Sequence, residues 1–91
     1  MSEVDRTVTI RNRLGLHARP AGEFVKTASK FESKITIAKG ELEVNGKSIM
    51  GVMMLAASQG TELIIRTSGH DEQEAADQLE RLVAEKFGED E

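Results

Sequence analysis

The stretch Gly15-Leu16-His17-Ala18-Arg19-Pro20-Ala21 joins two segments of different periodicity. Before it, Val4, Val8 and Ile10 alternate with Asp5, Thr7 and Thr9, the period of a half-buried strand. After it, Ala21, Phe24, Val25 and Ala28 keep the i, i+3, i+4, i+7 spacing of an amphipathic helix that is expected to end near Lys30. His17 therefore falls where a strand hands over to a helix. Pro20 agrees, because proline fits the first helical turn, where backbone N–H groups lack intrahelical partners. An imidazole there sits beside unpaired N–H donors, including that of Ala18, and the positive end of the helix dipole. Arg19 adds a full positive charge. A nucleophilic ring nitrogen, free N–H groups and a guanidinium together suit a phosphoryl acceptor. The competing reading is a histidine that merely caps a helix. Helix end and Arg19 both disfavour the imidazolium form, so the ring is expected to be neutral.

Working outward, Ser33 to Lys39 reads as a second strand and Leu42 with Val44 as a third, joined by a turn at Lys39-Gly40. Asn45-Gly46 closes the hairpin with residues that tolerate positive φ. Ser48 is placed to N-cap a two-turn helix through Val52 and Leu55. Leu63, Ile64 and Ile65 form a fourth strand, apolar on both sides and so expected inside the sheet. Asp71 with Glu74 gives an acidic capping pair for a third helix, whose stripe runs Ala75, Ala76, Leu79, Leu82, Val83, Phe87 and stops at Gly88. The order β-α-β-β-α-β-α predicts an α+β open-faced two-layer sandwich, with a four-stranded, mainly antiparallel sheet carrying three helices on one face. One domain over residues 1–88 is expected, with residues 89–91 an acidic C-terminal tail.

Composition narrows the classes. The 91 residues are 38% hydrophobic and 31% charged, ordinary for a globular domain. No apolar run is long enough to cross a membrane, and Met1-Ser2-Glu3-Val4-Asp5 lacks a signal-peptide pattern, so a cytoplasmic protein is expected. With no cysteine, disulfides and thiolate chemistry are excluded. The net charge of −4 hides an imbalance: residues 71–91 carry −7 and residues 1–70 carry +3. Arg11, Arg13, Arg19, Lys26 and Lys47 contribute to that basic excess, which favours an anionic substrate group or partner near His17. Three phenylalanines are the only aromatics and no base-reading motif occurs, which argues against nucleic acid. His70 has no partner motif, and two isolated histidines make no metal site.

The second informative stretch is Asn45-Gly46-Lys47-Ser48-Ile49-Met50-Gly51-Val52-Met53-Met54-Leu55. A two-turn helix cannot bury all of its apolar residues. Val52 and Leu55 are expected inside, with Ile49, Met50 and Met53 at least partly outside as a docking patch that methionine adapts to several partners.

The two stretches together resemble the HPr family, the histidine phosphocarriers of the bacterial phosphotransferase system, including its nitrogen-related branch. The likeness covers nearly the whole chain. It implies that His17 takes a phosphoryl group on Nδ1 from phosphorylated enzyme I, which draws on phosphoenolpyruvate. His17 then passes the group to an enzyme IIA-type protein, in sugar uptake or a regulatory phosphorelay. Such a carrier is not itself an enzyme and needs no cofactor; a monomer is expected. Arg19 would stabilise the phosphoryl oxygens and Ala18 would offer its backbone N–H. Ile49, Met50, Met53 and Lys26 would meet partner proteins. Ser48 matches a serine that a dedicated kinase phosphorylates in many members. Position 18 is alanine where some sugar-transport members carry a hydroxyl. The alternative is a regulatory binding module whose phosphorylation state controls association with a kinase or transcription factor.

Overall fold

A computed structural model describes residues 3–91. Its strands are β1 (Val4–Thr9), β2 (Lys34–Lys39), β3 (Leu42–Asn45) and β4 (Glu62–Ser68). Its helices are α1 (Ala18–Ala28), α2 (Ile49–Met54) and α3 (Glu72–Ala84), followed by a 3-10 turn over Lys86–Gly88. The sheet order is β1-β4-β2-β3, and every neighbouring pair is antiparallel. The chain is thus the expected α+β open-faced sandwich. β4 lies inside the sheet, with Val8 opposite Leu63 on one side and Ile37 opposite Ile65 on the other.

The core is the layer between sheet and helices. Ile10, Ile35, Ile37, Leu63 and Ile65 meet Phe24, Val52, Leu55, Leu79 and Val83, all nearly inaccessible. Arg6 shares the helix-facing parity of Val4 and Val8. It is tolerated there because α3 supplies Asp77 at 2.9 Å and Glu80 at 2.7 Å. The opposite face is polar, and Arg66 holds Asp5 and Glu43 across the strands.

Three local expectations differ from the structure. Asn45 and Gly46 do not use positive φ. Gly46 is glycine because a β-carbon there would lie 2.7 Å from Ile35 Cγ2. Asp71 precedes α3 but makes no cap bond. Its carboxylate instead accepts from the Glu32 and Ser33 N–H groups and from the Ser33 hydroxyl, tying the start of α3 to the α1–β2 loop. Finally, α3 stops at Ala84 and does not continue to Phe87. Lys86, Phe87 and Gly88 turn left-handed with φ of 59°, 56° and 82°, which carries the chain end back toward α1.

Candidate phosphoryl-acceptor site

His17 occupies the N-cap of α1 in extended backbone geometry, and its side chain makes no capping bond. The ring is not needed for capping because the backbone around it is fixed by other means. Leu16, buried before it, donates its N–H to the Ala57 carbonyl at 2.8 Å, and Ala21 N–H closes the first helical bond to the His17 carbonyl at 3.0 Å. Ala18 is the first helical residue, so its N–H lies among the donors left without intrahelical acceptors.

Sequence reasoning placed no carboxylate beside His17, yet the structure brings one there. Glu89 Oε2 lies 2.8 Å from His17 Nε2 and accepts from Arg19 Nε at 3.1 Å. Its other oxygen, Oε1, accepts from Asn12 Nδ2 at 2.9 Å. Asn12 is wholly buried and also donates to the Gly15 carbonyl at 2.7 Å. Burial opposes ionisation of Glu89, but the hydrogen bonds from Asn12, His17 and Arg19 outweigh it and hold the carboxyl below its ordinary value. Residues 89–91, expected as a trailing acidic tail, thus pack on the His17 loop; Glu91 also pairs with Arg13 at 2.9 Å.

Arg19 also donates from Nη2 to the Phe87 carbonyl at 2.7 Å. These two bonds use two of its five N–H donors and leave the rest for an anion. Part of the expected basic neighbourhood is committed elsewhere. Arg13 faces Glu91, and Lys47 Nζ donates to the Phe31 carbonyl at 2.6 Å behind the end of α1. Lys26 is exposed in the last turn of α1. His70, a residue with no partner motif in the sequence, lies in a turn and contacts Glu32 Oε1 at 2.6 Å.

Ser48 N-caps α2, its hydroxyl accepting from the Gly51 N–H at 3.1 Å. Behind it Val52 and Leu55 are buried, while Ile49, Met50 and Met53 are exposed. Ile49 lies against α1, its Cδ1 3.9 Å from where a β-carbon on Gly22 would stand. Leu14 and Met54, each 66% exposed, are large exposed apolar side chains outside the expected set. Met54 is the C-terminal residue of α2, where the expected stripe gave it no role. Leu14, in a loop, has no periodicity to mark it.

Among the described residues no group of three or more His, Asp or Glu side chains could hold a metal ion, and no helix is long and apolar enough to cross a membrane. Residues 4–85 match the family model described as the PTS HPr component phosphorylation site. The phosphocarrier protein HPr of Xylella fastidiosa is 48% identical over 87 residues, 96% of this chain and 98% of that protein. HPr of Neisseria meningitidis serogroup A is 49% identical over 86 residues, covering 94% of this chain and 97% of its own. The crystal structure of HPr-C-His from Thermoanaerobacter tengcongensis superposes with a TM-score of 0.91 at 50% identity, covering 100% of both chains. The chain belongs to the HPr family: it is a histidine phosphocarrier of the phosphotransferase system, a shuttle for phosphoryl groups and not an enzyme.

Proposed function

We propose that His17 is the phosphoryl acceptor, through Nδ1, and that Arg19 and the first-turn N–H groups of α1 stabilise the transferred group. The observation that carries this is the Nε2 contact to Glu89 at 2.8 Å. With Nε2 occupied by a hydrogen bond, Nδ1 is the nitrogen left to attack. Its lone pair forms the new N–P bond as the N–P bond to the donor breaks, the electron pair returning to the donor's ring. Exchange between two histidines is nearly balanced, so positioning and charge stabilisation suffice. Family membership implies enzyme I as donor and enzyme IIA-type proteins as acceptors, in sugar uptake or a regulatory phosphorelay in the cytoplasm. The protein acts as a monomer in this reading.

Partners dock on Ile49, Met50 and Met53, with Lys26 supplying a cation on the adjoining helix. Ser48 opens that same helix. A phosphate there would place roughly two negative charges among those side chains and weaken docking of acidic partners. Phosphorylation of Ser48 is thus a regulatory device that spares the fold.

Enzyme I and radiolabelled phosphoenolpyruvate are expected to label the protein at an acid-labile site, and His17→Ala to abolish the label. Label that persists in His17→Ala would overturn the assignment. Met50→Glu, at a 76% exposed position, is expected to raise the enzyme I concentration needed for half-maximal labelling while leaving the thermal transition in place.

A further inference from the structure

The carboxylate of Glu89 stands 72 residues from His17 in sequence, and three side chains converge on it: Asn12, His17 and Arg19. Its placement is built from both sides. Asn12, wholly buried and fixed by the Gly15 carbonyl, turns Oε1 toward itself and so aims Oε2 at the imidazole. The left-handed run Lys86–Gly88 directs the segment to this spot, and Arg19 holds the Phe87 carbonyl just before it. At 18% side-chain exposure Glu89 is the more sheltered member of the pair, against 37% for His17.

We infer that Glu89 is a positioning residue for phosphoryl transfer, holding the ring proton of His17 on Nε2 through each turn of the carrier cycle. The inference rests on His17 as the acceptor. In the resting protein an ionised carboxylate can only accept, so the neutral imidazole must donate from Nε2 and present an unprotonated Nδ1. When Nδ1 forms its bond to phosphorus, the ring retains the Nε2 proton and becomes cationic, and the carboxylate then faces a positive ring. Aspartate orients and stabilises imidazolium by the same logic in a hydrolase triad. On delivery the Nδ1–P bond breaks and its electron pair returns to Nδ1. With Nε2 still protonated the ring leaves as neutral imidazole; without that proton it would have to leave as the far more basic imidazolide anion. Glu89 therefore serves loading and unloading alike. Asn12 acts one step further back, by fixing Glu89.

Long-range proton–nitrogen NMR of uniformly 15N-labelled, unphosphorylated protein, at a pH where the ring is neutral, reads the tautomer directly. The wild type is expected to show an Nε2–H proton in slow exchange with water and an unprotonated Nδ1. Glu89→Ala is expected to lose that protected proton and to populate both tautomers, with backbone amide spectra otherwise unchanged beyond the site. Glu89→Gln retains an acceptor and is expected to keep the tautomer while losing the charge. Phosphoryl transfer from enzyme I should slow by about threefold to tenfold in Glu89→Ala, the scale of a partly exposed hydrogen bond to a charged ring, with partial recovery in Glu89→Gln. An Nδ1–H ring in the wild type, or an identical proton signal in Glu89→Ala, would overturn the inference. So would a displaced proton with unchanged transfer. Absence of label on wild-type His17 is a separate failure, that of the acceptor assignment, and the tautomer measurement still decides whether Glu89 governs the ring.

Discussion

A β-carbon at position 15 would lie 2.4 Å from the Ala57 carbonyl oxygen and 2.9 Å from Ser58 Cα, and the backbone there has φ of +69°. Only glycine meets both demands, so Gly15 lets the loop pass under the α2–β4 connection and present its carbonyl to Asn12. Gly15→Ala should cost about 1–3 kcal/mol from backbone strain alone, with the clash adding to it. A lower urea midpoint at an unchanged slope would record this. At this scale the placements of His17, Arg19 and Ser48 at helix starts were legible because their signals are local: a proline in a first turn, a charge two residues on, a hydroxyl before a helix. Glu89 was not legible. Its role depends on the chain reversing at Lys86–Gly88, and Gly88 was the only sequence mark of that reversal. Asn12 gave even less, a single amide outside any motif or apolar periodicity, buried only by the fold.

The elements show why pattern alone mistook the end of α3. Leu79, Leu82, Val83 and Phe87 keep a helical spacing, so apolar periodicity cannot tell a continuing helix from one that breaks and reburies its last aromatic ring. The ring is indeed 3% exposed. Burial of a phenylalanine, about 1.5–3 kcal/mol, is comparable with the cost of left-handed backbone at Lys86 and Phe87. The start of α3 differs for another reason. Asp71 finds better donors in the Glu32–Ser33 turn than at its own helix, and three hydrogen bonds hold it there. The Ser33 hydroxyl and the Glu32 N–H lower its carboxyl from an ordinary value of 3.8 to about 2. A depressed carboxylate stabilises the fold above its unfolded value, and that contribution disappears as pH falls through the folded one. Stability should therefore drop between pH 3.8 and about 2, and Asp71→Asn should flatten that part of the profile. Chemical denaturation across this range checks it; an unchanged slope in the variant would deny Asp71 this role.

Across the whole molecule, the charge imbalance of the sequence becomes pairing between its two ends. Acidic residues of the last twenty-one positions reach back to Arg6, Arg13 and Arg19 in the first twenty. The net acidity of the chain thus leaves the His17 loop neither acidic nor strongly basic in the resting state. A phosphoryl group on His17 would draw on the N–H donors of Arg19 that Glu89 and Phe87 do not occupy. Loading, on this account, belongs to the α1 terminus and the reversed chain end, and delivery to the apolar face of α2 that lies against α1 through Ile49. Both converge on one atom. Nitrogen-15 and phosphorus-31 NMR of the protein loaded by enzyme I and phosphoenolpyruvate identifies it. Phosphorus–nitrogen coupling is expected at His17 Nδ1, with the proton retained on Nε2. Coupling at Nε2, or a phosphoryl group on any other residue, would contradict it.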